Sequence, residues 1–131
     1  MTILKSERLR LTLAMAVVVP AGLAVKFCVP GALGRWCSLY GAAILYEVLW
    51  VLVLRLIVPR LRPVTCGVIV FVVTCALEFL QLWHLPALDA VRRTFLGAAL
   101  LGTSFDPWDF VYYVIGSALG VLVALAMRRG T

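Results

Sequence analysis

Charge is what this chain has least of. Asp, Glu, Lys and Arg together make up 14 % of its 131 residues, while 64 % are hydrophobic. A soluble domain carries about 25 % charged and about 45–50 % apolar residues, so a soluble globular reading is excluded. Histidine occurs once, as His84, which argues against a His-based metal site or dyad. The four cysteines, Cys28, Cys37, Cys66 and Cys75, lack metal-ligand spacing. There is no Ser-His-Asp arrangement, Walker loop, zinc motif or nucleotide fingerprint. Those absences weigh against an enzyme and imply neither cofactor nor metal. Low-complexity tracts and polar linkers are missing too, as is any internal repeat of the kind that marks inverted-repeat transporters.

What is present is a series of apolar runs. They lie at about 9–29, 37–58, 64–85 and 108–127. A membrane-spanning helix takes about 20 residues, so four spans and their short loops nearly fill the chain. The expectation is one transmembrane domain, 1–131: an all-α integral membrane protein of four transmembrane helices. The first run follows Lys5, Arg8 and Arg10 like a signal peptide. It is longer than a typical signal h-region and is expected to stay as the first helix, loosened midway by Pro20 and Gly22. Segment 86–107 is too short for a further span. It is expected to form a short re-entrant or interfacial piece between helices 3 and 4.

The net charge of +6 does not point to nucleic acid, because the basic residues sit at the ends of the apolar runs. Lys5, Arg8, Arg10, Arg55, Arg60, Arg62, Arg128 and Arg129 fall on one side. Lys26, Arg35, Arg92 and Arg93 fall on the other. The positive-inside rule then places both termini in the cytoplasm. Trp36, Tyr40, Trp83, Phe105 and Trp108 gather at the outer ends as an interfacial belt. Cys66 and Cys75 read as small apolar filler. Cys28 and Cys37 flank the first outer loop and are either bonded, if that loop faces an oxidising space, or free.

Against this background the acids inside the runs carry the most information. A carboxyl group in hydrocarbon costs about 3 kcal/mol or more. Glu78 lies in the third run, sharing a face with Gln81. At about 1.5 Å per residue, it is expected roughly 10 Å below the outer end of its helix. It reads either as a ligand-binding or proton-exchanging carboxyl or as a structural group bonded to a neighbouring helix. Glu47, near the middle of the second run, shares a face with Tyr40, Ala43, Trp50 and Leu54. It either joins Glu78 in a common site or bonds a neighbouring helix. Lys26 either snorkels to the interface or turns inward to pair with Glu78.

Asp106-Pro107-Trp108-Asp109 has the form of a helix start, with an acid cap and proline at the first helical position. Asp109 is open to an inward role beside Tyr112, Tyr113 and Gly116. Asp89, Arg92 and Arg93 read either as an exposed loop or as an anion-recognising segment. Gly116 and Gly120 form a small-xxx-small pattern that admits a close helix, from this chain, a second copy or a larger complex.

Taken in order, several of these groups resemble a family of small bacterial membrane proteins catalogued as a domain of unknown function. They are Glu78-Phe79-Leu80-Gln81, Leu88-Asp89-Ala90-Val91-Arg92, Gly102 with Phe105 and Asp109, then Gly116 and Gly120. Gly22-Leu23-Ala24 and Glu47-Val48-Leu49-Trp50 fall where that family has similar patterns, so the resemblance covers most of the chain. A looser similarity is to the VanZ-like proteins linked to glycopeptide-antibiotic resistance. There Tyr113 stands where those proteins usually carry Asn. The resemblance implies a multi-pass protein of the bacterial inner membrane.

Residues and resemblance together lead to one main expectation. Glu78, Gln81, Asp109 and Arg92, with Glu47, Lys26 and Tyr113, form a ligand site near the outer leaflet. It would bind an envelope lipid, a lipid-linked precursor or another amphiphile. The alternatives are a proton-coupled small-solute transporter, an accessory subunit of a larger membrane complex, and a lipid-modifying enzyme with Glu78 or Asp109 as base.

Overall fold

A computed structural model describes residues 5–27, 30–82, 85–101 and 107–129. Every regular element among the described residues is helical. The order is α1 (Lys5–Phe27), α2 (Gly31–Trp36), a π-helical turn (Cys37–Gly41), α3 (Ala42–Ile57), α4 (Pro63–Leu80), α5 (Pro86–Arg92), α6 (Phe95–Leu101) and α7 (Asp109–Arg129).

Among the described residues three helices, α1, α4 and α7, are long and apolar enough to cross a membrane. The second apolar run does not form one long α-helix. Its α-helical part, α3, has 16 residues, and the backbone before it passes through the π turn into α2. Pro20 does not end α1, which continues to Phe27. Segment 86–107 supplies α5 and α6, two short helices that pack on each other. The backbone of 102–106 lies outside the described residues.

The centre of the bundle is α3 against α7. Two glycines set how close they come. A Cβ on Gly116 would lie 2.6 Å from Glu47 Cβ and 2.7 Å from the Ile44 carbonyl oxygen. One on Gly120 would meet Val51 Cβ at 2.8 Å. The close partner of this small-residue stripe is therefore α3 of the same chain. A third glycine, Gly67, does the same between α4 and α7, facing Val121. Close backbone approach maximises dispersion contact, which holds helices together where lipid removes most of the hydrophobic drive.

Around these contacts Leu11, Val48, Leu52 and Ala124 close a core between α1, α3 and α7. Val51, Cys66 and Val70 close another between α3 and α4. The outer surface is apolar: Leu13, Val17, Val72, Val73 and Leu122 are all more than half exposed, as lipid-facing side chains are.

The start of α1 and the end of α7 share one end of the bundle. Arg10 Nε donates to the Met127 carbonyl at 2.8 Å, tying the start of α1 to the end of α7. Beside it, Glu7 and Arg55 form a buried ion pair at 3.0 Å between α1 and α3.

Candidate functional site

At the other end, polar groups from three helices meet. Residues four apart on a helix share a face, and α7 uses this spacing twice in succession, from Asp109 to Tyr113 to Ser117. The Tyr113 hydroxyl donates to Glu78 Oε2 on α4 at 3.0 Å. The Ser117 hydroxyl donates to Glu47 Oε2 on α3 at 2.7 Å. One helix thus holds two carboxyls of two other helices, one turn apart. The Tyr113 phenol also lies in the field of Asp109 and Glu47, and Cys75 of α4 lies in the field of both glutamates.

Burial makes this arrangement consequential. Glu47 is fully buried and Glu78 is 2 % exposed. Glu47 Oε1 has no hydrogen-bond partner. Thr74 of α4 lies against this carboxyl, but its hydroxyl turns to the Val70 and Phe71 carbonyls at 2.8 and 3.0 Å. A buried acceptor left without a donor costs about 1–3 kcal/mol.

The mouth of the site is formed by the end of α4. That helix stops at Leu80, not at 85, because its final carbonyls are taken up locally. The Gln81 and Leu82 amides bond Glu78 and Phe79 in tight turns, both at 3.1 Å. Gln81 Nε2 donates to the Leu77 carbonyl at 3.2 Å, and Arg92 Nη2 reaches the Leu80 carbonyl at 2.8 Å. Glu78 consequently sits in the last turn of α4, about 3 Å along the axis from its end, and not at the depth of roughly 10 Å expected from the apolar run. The cause lies in side chains distant in sequence: the run stays apolar through Leu85, while the helix ends where polar groups cap it.

Of the residues singled out in the sequence, Glu78, Tyr113, Asp109 and Glu47 come together between α3, α4 and α7. Gln81 and Arg92 are both buried at the end of α4. Arg92 turns to Leu80 and, at 3.1 Å, to Asp89. Lys26 is exposed in the last turn of α1. The inward face of α3 is Glu47, Val48, Val51, Leu52 and Arg55. Trp50 and Leu54, expected on that face, flank it against α4. Asp109 is the first residue of α7, where the chain enters through a tight turn at Pro107 and Trp108. Asp106, His84, Trp83, Phe105 and Cys28 lie outside the described residues, and Cys37 carries a free thiol.

Two features were not anticipated. Ser117 was legible only as a small residue, although its spacing of four from Tyr113 marks the shared face. The π turn before α3 was not foreseen either. Such turns are frequent at functional sites, and this one carries Tyr40 onto Tyr112, with ring centroids 4.5 Å apart and nearly parallel planes. Trp36 Nε1 donates to the Tyr112 hydroxyl at 3.3 Å. An aromatic cluster thereby joins the π turn to α7, and Phe79 of α4 packs against Phe110 of α7.

The family described as Protein of unknown function (DUF2809) matches residues 32–117. The matched span runs from α2 through the helices that bear Glu47 and Glu78 to Ser117 of α7. No curated protein and no solved structure matches the chain.

Proposed function

The chain belongs to the DUF2809 family, and we propose that it is a four-span membrane protein whose site at the end of α4 binds an amphiphile. The fourth span in this reading is the helical run from Gly31 to Ile57, long enough to cross a bilayer. The basic residues at the end that holds the start of α1 and the end of α7 favour a cytoplasmic position for that end, with the site toward the outer leaflet.

One observation carries the reading. Glu78, nearly fully buried, meets the Tyr113 hydroxyl in the last turn of α4, directly beside apolar side chains that face outward. Phe79, Val111 and Val114 are exposed there. A headgroup at this position finds a carboxyl–phenol pair, with Asp109 at the start of α7 and Gln81 and Arg92 at the end of α4, while its chain lies along the apolar surface. An envelope lipid or lipid-linked precursor has this combination, consistent with a VanZ-like envelope role. A few convergent polar groups set against apolar surface are the general elements of a small-ligand site.

The second reading is a proton-coupled solute transporter. It is favoured by Glu47 Oε1, buried with no donor, one α7 turn from the Glu78 pair. Intramembrane carboxyls in a row commonly mark proton relays.

Purification of the wild type and of Glu78→Gln in mild detergent, followed by mass spectrometry of co-purified lipids, tests the first reading. The variant keeps the shape and the hydrogen bond but removes the ionisable group. An amphiphile enriched on the wild type and depleted severalfold on Glu78→Gln is the expected result. Identical lipid profiles would sink it. A pH-dependent flux in proteoliposomes that Glu47→Gln abolishes would favour the second.

A further inference from the structure

The opposite end of the bundle holds a second arrangement that the site above does not use. A cavity of about 380 Å³ is lined by Arg55, Pro59, Arg60, Leu61, Arg62 and Arg128. Four of its six lining residues are arginines, drawn from α3, the loop after it and the end of α7. We propose that this cavity binds a phosphate-bearing anion, in the first instance the headgroup of an anionic phospholipid.

Arg55 makes the cavity a built site and not a patch of surface charge. It is 7 % exposed. Its Nη2 pairs with Glu7 at 3.0 Å, and its Nη1 accepts no solvent role because it donates to the Pro59 and Leu61 carbonyls. Those bonds fold the 58–62 loop around the guanidinium and fix the floor of the cavity. Arg55 Nε is buried with no hydrogen-bond partner, so the guanidinium is not fully satisfied within the protein. Arg60 and Arg62 are exposed at the rim. Glu7 neutralises only one of the four arginines, so the cavity keeps a net positive charge. Guanidinium groups bind phosphate oxygens through paired planar donors. Pro59 and Leu61 supply apolar wall, which suits a headgroup whose chains lie alongside. This inference does not depend on the amphiphile site, which lies at the other end of the helices.

Native mass spectrometry in detergent tests it, with short-chain phosphatidylglycerol competing against phosphatidylcholine of the same chain length. The variants are Arg60→Gln/Arg62→Gln and, as control, Lys5→Gln/Arg8→Gln. The control pair removes the same charge from exposed residues of the same bundle end but outside the cavity. A direct charged hydrogen bond from an arginine to a phosphate oxygen is worth about tenfold or more in affinity, so the cavity pair should lower phosphatidylglycerol retention about a hundredfold. The control pair should change it less than about threefold, and circular dichroism should report both variants as folded. Displacement of the lipid by millimolar inorganic phosphate would assign the cavity to a soluble phosphate; no displacement assigns it to the lipid. Equal losses in both pairs would mean diffuse charge attraction and overturn the proposal, as would no preference for phosphatidylglycerol in the wild type.

Discussion

Replacing Gly116 by Ala adds a single methyl group where α3 and α7 are closest. That methyl would stand 2.6 Å from Glu47 Cβ, 2.7 Å from the Ile44 carbonyl oxygen and 3.0 Å from Ile44 Cα. Two of these neighbours are backbone, so no rotamer change relieves the clash. Ordinary contact begins at 3.4 Å, and the helices must separate by about 0.8 Å to reach it. Overpacking of this kind costs about 1–3 kcal/mol. The separation also stretches the Ser117–Glu47 hydrogen bond, worth about 1 kcal/mol or more because a carboxyl is involved. Ala gains about 1 kcal/mol over Gly in helix propensity. The net expectation is a loss of about 1–3 kcal/mol.

Gly22 provides the comparison. It is also in a helix, but its nearest neighbour would be Leu45 Cβ at 3.9 Å, which is ordinary contact. Gly22→Ala should be neutral or stabilise by up to about 1 kcal/mol. Thermal unfolding in detergent, followed by tryptophan fluorescence, separates the two by several degrees. Equal midpoints for Gly116→Ala and Gly22→Ala would refute the claim that α3 fills the small-residue stripe of α7.

Two further predictions concern buried charge. Glu7→Ala strands Arg55 in the interior and should cost about 3–5 kcal/mol, with the double variant Glu7→Ala/Arg55→Met recovering part of the loss; denaturant titration in mixed micelles measures both. Arg92→Gln removes the donor to the Leu80 carbonyl and should cost about 1–2 kcal/mol. It should also speed amide hydrogen exchange at 78–82, leaving the middle of α4 unchanged.

The sequence reads well where hydrophobicity and local spacing decide the outcome. Glu78 and Glu47 are conspicuous because they interrupt apolar runs, and both prove buried. The Gly116 and Gly120 spacing marks a helix contact, and it is one. Sequence reads poorly where distant side chains decide. The end of α4 depends on Arg92, twelve residues beyond the carbonyl it caps, so the apolar run overstates the helix and misplaces Glu78 in depth. Arg55 looks like one of several orientation signals at a helix end. Its role appears only when Glu7, the lone acid among Lys5, Arg8 and Arg10, folds against it from α1. Ser117 is small enough to be read as spacing alone, although its hydroxyl is what holds Glu47. The π turn leaves no hydrophobic signature, since an inserted residue shifts a face without changing composition.

A double-mutant cycle on Tyr113 and Glu78 tests most directly whether α7 holds the intramembrane carboxyls. Tyr113→Phe, Glu78→Leu and the double variant are compared with the wild type by thermal unfolding in detergent. A direct hydrogen bond predicts a coupling energy of about 0.5–1.5 kcal/mol. Losses that simply add would show that the two side chains do not meet, and would contradict the site on which the functional reading stands.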